Sequence, residues 1–189
     1  MIVLNDERLV LMTPPKTASS ALHVHCCQTH NGIHICGETD GCFDHHTTRV
    51  PDAFRDYAKV VVVRHPLDRL VSLWHHLVRW NANHGDGCCS FADFCELVNS
   101  PPDKFHWIYH RTICEYLRAQ PVDGVLHYES LLGDLNRLTG WNDDALPVVH
   151  EQISFRSPWR SYFTDVRAKA AALRWAAADM VRFEYEAEL

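Results

Sequence analysis

The sequence has 189 residues, enough for one domain with an ordinary buried core, and 47% apolar with 22% charged residues are globular values. A formal net charge of −6 argues against a broad surface for nucleic acid or anionic membrane. No stretch approaches the ~20 apolar residues that span a bilayer, and Met1 to Met12, interrupted by Asp6, Glu7 and Arg8, does not read as a signal peptide. The expectation is a single cytoplasmic domain over residues 1–189, with neither nucleic acid nor membrane as a partner.

Eight cysteines (Cys26, Cys27, Cys36, Cys42, Cys88, Cys89, Cys95 and Cys114) and fourteen histidines raise the question of disulfides or zinc. Without a secretory signal, reduced thiols are expected. There is no C-x-x-C pair, and two adjacent Cys-Cys pairs are poorly spaced for chelation. The run His23, His25, Cys26, His30, His34, Cys36 brings ligand types close together, but buried thiols and partly exposed imidazoles are the expectation, with no metal.

In chain order, Ile2 to Leu4 and Leu9 to Met12 read as short strands around the turn Asn5-Asp6-Glu7-Arg8. The second runs into Thr13-Pro14-Pro15-Lys16-Thr17-Ala18-Ser19-Ser20, and a helix is predicted from about Thr17 to Thr29. A strand at Ile33 to Cys36 follows, then a polar loop from Gly37 to Val50, and Pro51 can open a short helix. Lys59 to Arg64 is the clearest strand; its β-branched run predicts burial on both faces, as in a central parallel strand. A helix starts at Pro66, with Leu67, Leu70, Val71, Trp74, Leu77 and Val78 as its apolar stripe. Ser90 with Asp93 predicts a capped helix to about Val98, and further helices are expected near Lys104 to Arg118 and from Asp165 to about Val181, capped by Thr164. Gly124 to Tyr128 reads as a core strand followed by a helix through Leu138. Alternating strands and helices predict an α/β domain of three layers, P-loop-like, with a mainly parallel central sheet flanked by helices.

The strand–loop–helix from Leu9 to Leu22 carries the chemistry. A loop ending at a helix N-terminus offers backbone N–H groups and the positive end of the helix dipole, so it suits phosphate. Lys16 adds a charge, and Thr17, Ser19 and Ser20 add hydroxyls. The loop lacks the glycines of G-x-x-x-x-G-K-S/T, which disfavours an NTPase. On a helix from Pro66, Ser72 shares a face with Asp68 and Arg69, and Arg64 ends its strand at the carboxyl edge where open α/β sheets bind ligands.

The set resembles the PAPS-dependent sulfotransferase superfamily. Pro15-Lys16-Thr17-Ala18-Ser19-Ser20 resembles that family's 5′-phosphosulfate loop, and Arg64-His65-Pro66-Leu67-Asp68-Arg69-Leu70-Val71-Ser72 resembles its 3′-phosphate signature. Weaker echoes follow in order at His127-Tyr128-Glu129-Ser130-Leu131 and Phe183-Glu184-Tyr185, and the spacing from Gly37 to Arg64 resembles the carbohydrate-acting branch, heparan-type O-sulfotransferases included. The resemblance implies PAPS as donor cosubstrate, an acceptor hydroxyl on a carbohydrate, and no metal. It implies Lys16 on the leaving oxygen, Lys16, Thr17, Ala18, Ser19 and Ser20 around the 5′-phosphate, and Arg64 with Ser72 on the 3′-phosphate. Arg156 and Arg160 either face that phosphate or are solvated. The base is expected in Asp44-His45-His46-Thr47-Thr48, where His46-Thr47-Thr48 resembles the family's His-x-Thr element better than His45 does, and Asp44 can orient either imidazole. Two departures stand out: Ala18 occupies the usual glycine position, acceptable where φ is negative, and the expected His-Val-Asn element is reduced to His150-Glu151. The alternatives are a small-molecule kinase, a non-catalytic nucleotide or glycan module of the same fold, and a structural zinc protein.

Overall fold

A hairpin opens the chain: β1 (Ile2–Leu4) pairs antiparallel with β2 (Leu9–Met12), Ile2 opposite Leu11 and Leu4 opposite Leu9. The computed structural model describes residues 1–39, 42–44, 46–47, 49–84, 89–103, 105–118, 120–147 and 156–187. Helix α1 (Ser19–Thr29) follows β2, and β3 (Ile33–His34) returns to pair antiparallel with β1. Gly32 makes that return possible. Its N–H donates to the Cys26 carbonyl at 2.8 Å, and a Cβ there would sit 3.0 Å from that oxygen and from a Leu4 methyl.

The predicted loop from Gly37 to Val50 instead contains a second hairpin, β4 (Gly37–Thr39) with β5 (Cys42–Asp44). Pro51 precedes a single 3-10 turn at Asp52–Phe54. Strand β6 (Ala58–Val63) lies parallel to β2, then come α2 (Pro66–His84), α3 (Phe91–Leu97), a 3-10 turn at Trp107–Tyr109 and α4 (Ile113–Leu117). Strand β7 (Gly124–His127) lies parallel to β6 and leads through a turn at Tyr128–Ser130 into α5 (Leu131–Thr139); α6 (Val166–Arg182) comes last. The sheet order is β3-β1-β2-β6-β7. Only β1 runs against the other strands of this sheet, so the sheet is mainly, not wholly, parallel.

The chain divides into two compact units, one of Met1–Arg64 with Leu117–Gln152, the other of His65–Tyr116 with Ile153–Leu189. In the first, alternation along the strands puts Ile2, Leu4, Leu9, Leu11, Val60, Val62 and Leu126 on one face, where Leu22 and Cys26 of α1 and Leu131 and Leu135 of α5 cover them. The intervening Val61 and Val63 are also fully buried, as the valine run predicts. Each such side chain contributes about 1.5–3 kcal/mol by leaving water.

The second unit is helical. Leu67, Leu70, Val71, Leu73 and Leu77 of α2 pack with Phe91, Phe94 and Cys95 of α3 and with α6, whose Ala168, Ala171, Ala172 and Ala176 allow close approach. The helix predicted over Lys104 to Arg118 is broken, because the chain restarts at Thr112. Thr112 and Glu115 form a capping box: the Glu115 N–H donates to the Thr112 hydroxyl at 3.1 Å, and the Thr112 N–H to the Glu115 carboxylate at 2.8 Å. The remaining first-turn donors, Ile113 and Cys114 N–H, each reach the fully buried Asp179 carboxylate at 2.7 Å. Ser90 caps α3 as expected, accepting from Asp93 N–H at 3.1 Å. The cap of α6 is Asp165, one residue beyond the predicted Thr164, and the Arg167 N–H donated to it holds the Asp165 carboxyl below the usual range. Among the described residues, no helix is long and apolar enough to cross a membrane.

Candidate active site

Register places the site. Met12 of β2 lies opposite Val61 of β6, so Arg64, just past the end of β6, comes level with the loop after β2. Val63 of β6 lies opposite His127 of β7, so Tyr128 comes level with Arg64. All three parallel strands thus end at one edge, the edge where such sheets bind ligands.

The loop itself is shaped without glycine. Thr17 is fully buried and both its hydroxyl and its N–H donate to the Pro14 carbonyl, at 2.8 and 3.3 Å, which folds the chain back on itself. Lys16 and Ala18 each adopt φ of 67°, in the left-handed region. The condition that φ be negative at Ala18 is therefore not met: a position that favours glycine holds an alanine, at a cost of about 1–2 kcal/mol. Helix α1 begins two residues later than predicted, at Ser19, because the left-handed Ala18 is its N-cap. No side chain caps α1 and its first turn holds no acid, so the helix itself supplies nothing to offset the positive end of its dipole.

Two side chains buttress this loop. Arg64, 8% exposed, donates from Nη1 to the Lys16 carbonyl at 3.1 Å, and its guanidinium lies 4.2 Å from the centre of the Tyr128 ring. His46 reaches the loop's first residue: its Nδ1 lies 2.8 Å from the Thr13 carbonyl oxygen. A carbonyl only accepts, so Nδ1 carries a proton, and in the neutral form of this imidazole the lone pair lies on Nε2. A cavity of about 660 Å³ opens beside the helix start, lined by Ala18, Ala21, Leu146 and the residues from Tyr128 to Gly133. That volume falls within the range of small-ligand sites.

The structure thus brings together Lys16, Thr17, Ala18, Ser19, Ser20, Arg64 and, through Thr13, His46. His45, Thr48 and the His150-Glu151 element lie outside the described residues, as does the side chain of Asp44. Ser72 and Arg156 belong to the second unit. Ser72 is 4% exposed, and its helical neighbour Arg69 is buried too, donating to the Arg111 carbonyl at 3.0 Å, so this is not the solvent face that the polar residues suggest. Arg156 is ion-paired with Asp68, both side chains mostly buried, rather than solvated. Nearby on α2, His75 Nε2 lies 2.8 Å from the Tyr162 hydroxyl; burial, then the charge of Arg156, pushes its pKa below the usual imidazole value. The roles of Thr13, Pro14 and Tyr128 escape the sequence, since register and a backbone carbonyl define them.

A strand end, a lysine-bearing loop at a helix start and a histidine held to that loop's first residue thus lie together. The chain matches the sulfotransferase family over residues 1–157 and belongs to that family. That stretch contains the loop, His46, Arg64, Ser72, Tyr128 and Arg156. Comparison with curated proteins and with solved structures finds no match.

Proposed function

We propose that this protein is a PAPS-dependent sulfotransferase that transfers the sulfuryl group to a carbohydrate hydroxyl. The observation that carries the proposal is the pairing, in a sulfotransferase-family chain, of the Lys16 loop with the His46 imidazole on one strand-to-helix connection. The acceptor oxygen attacks sulfur in line, the bond from sulfur to the bridging phosphate oxygen breaks, and PAP leaves. Lys16 neutralises charge growing on that oxygen. His46 Nε2 takes the acceptor's proton, while its Nδ1–H stays on the Thr13 carbonyl.

The first-turn N–H groups of α1 with the Ser19 and Ser20 hydroxyls hold the 5′-phosphate. Thr17 serves by shaping the loop, since its hydroxyl hydrogen is given to Pro14. The cavity beside Ala18 and Tyr128 has the volume for the nucleoside. Arg64 and Ser72 receive the 3′-phosphate, a role supported by their match to the family's signature, and we assign Arg156, which lies outside that signature, to the same phosphate. No step in this scheme calls for a metal. Residues 1–189 act as one P-loop-like sulfotransferase domain, and we place it in a reducing, cytoplasmic setting, which suits buried thiols such as Cys26 and Cys95.

Calorimetric titration of PAP, AMP and ATP tests the donor. Each charge-assisted hydrogen bond to the 3′-phosphate contributes about 1.5–3 kcal/mol, so PAP should bind at least about tenfold more tightly than AMP. Equal affinities for PAP and AMP would overturn the assignment of the 3′-phosphate residues and, with them, PAPS as donor.

A further inference from the structure

At the far end of α1 from the phosphate loop, two imidazoles converge on one carboxylate oxygen. His25 Nε2 lies 3.1 Å and His30 Nε2 2.8 Å from Oδ2 of Asp143, and one ligand atom from each residue lies within 4.8 Å of the others. We infer that His25, His30 and Asp143 form a binding site for a single zinc ion, held by two imidazole nitrogens and one carboxylate oxygen. This inference is independent of the proposed donor and acceptor.

The chemistry of the donors suits zinc. Zinc takes nitrogen at 2.0–2.1 Å and carboxylate oxygen at 2.0–2.2 Å, which sets neighbouring ligand atoms of a tetrahedron about 3.3 Å apart. The two observed nitrogen-to-oxygen separations need open by only a few tenths of an ångström. Two neutral imidazoles and a carboxylate carry one negative charge, and Glu7 adds a second nearby: its carboxylate accepts from the Trp141 indole N–H at 2.8 Å. A divalent cation would balance both charges in a partly buried place, where uncompensated charge is costly.

Ring packing and backbone hydrogen bonds also hold these residues in place. Trp141 stacks on the His30 ring at 3.4 Å and 5° and meets His25 edge-on. Asn136 grips the Asp143 backbone, donating to its carbonyl at 2.9 Å and accepting its N–H at 3.4 Å. His25 is nearly buried, whereas the His30 and Asp143 side chains are 17% and 20% exposed, which leaves an ion a way in and a fourth position for water. Cys26 does not complete the set, because it is fully buried and packs in the apolar core. Bound zinc would tie the last turn of α1 to the segment after α5.

The test uses the whole purified chain, stripped with a chelator and titrated with cobalt(II), which reports N/O ligation by visible absorption, and with zinc in competition. One equivalent should saturate the signal, zinc should displace it, and zinc should raise the thermal midpoint. His30→Gln and Asp143→Asn keep polar groups in place, and circular dichroism checks their folding. Each should weaken cobalt binding at least about tenfold. A titration unchanged in both folded variants would overturn the site and assign any bound cobalt to other histidines of the fourteen. Absence of a one-equivalent signal in the unmodified chain would overturn it equally, leaving the cluster a hydrogen-bonded clamp.

Discussion

Replacing His46 separates two roles that one imidazole plays. Its Nδ1–H holds the Thr13 carbonyl at 2.8 Å, and its Nε2 is the proposed base. An asparagine amide nitrogen overlays imidazole Nδ1, so His46→Asn should keep the Thr13 bond and lose the base. His46→Gln places its amide at the Nε2 position and should lose the Thr13 bond. A positioned base contributes ~10²–10⁴-fold, or about 3–5 kcal/mol of transition-state stabilisation. A single neutral hydrogen bond contributes about 0.5–1.5 kcal/mol, at most roughly tenfold. His46→Asn should therefore slow PAP release from saturating PAPS, assayed with a panel of unsulfated glycans, by ~10²-fold or more. PAP affinity should stay within a few-fold of the unmodified protein, and the fall in rate toward acid pH should disappear. If His46→Asn stays within tenfold of the unmodified rate and His46→Gln is the slower variant, the residue merely ties down the loop and the base lies elsewhere.

Two predictions concern the helical unit. Asp179→Ala strips the acceptor from the Ile113 and Cys114 N–H groups, and with charge-assisted bonds contributing about 1.5–3 kcal/mol each, less the relief of a buried charge, denaturant titration should show a loss of about 3 kcal/mol; a loss below about 1 kcal/mol would mean water takes over the cap. His75 has a depressed pKa in the folded state, so the unfolded chain binds more protons and stability should be full above the ordinary imidazole pKa of about 6.5 and decline as pH falls through the folded value. His110 shifts the same way, by burial first and then Arg111, so His75→Phe should reduce this slope without abolishing it; an unchanged slope would refute the assignment.

Local signals served the sequence reading well wherever an element's own residues decide its form. The valines before Arg64, the stripe from Leu67 to Leu77 and the Ser90 cap all appear as their patterns predict. Failures have physical causes. Left-handed backbone at Lys16 and Ala18 carries no glycine signature, so the loop's bend and the true start of α1 were hidden. Arg69 looks like a solvent-face marker, yet a carbonyl acceptor and the Trp175 ring, 5.6 Å away, let it sit at 1% exposure. Thr112 and Glu115 do carry a legible capping box, overlooked inside a longer apolar stretch. The bond from Arg64 to the Lys16 backbone depends on strand register, and the His25, His30 and Asp143 cluster joins residues more than a hundred positions apart.

The brace from Arg64 to the Lys16 carbonyl also sets an order of events as the chain folds. The β1–β2 hairpin closes over four turn residues and can form as soon as it is made. Its parallel partner β6 begins at Ala58, and Arg64 lies 48 positions beyond Lys16, so a long segment must close first, which is entropically slow. Tyr128, which stacks on Arg64, arrives later still. A nascent chain emerging N-terminus first therefore exposes the phosphate loop's sequence long before it has the loop's shape. Anion-binding competence should be among the last properties to mature during synthesis, appearing only after β6 and β7 have docked.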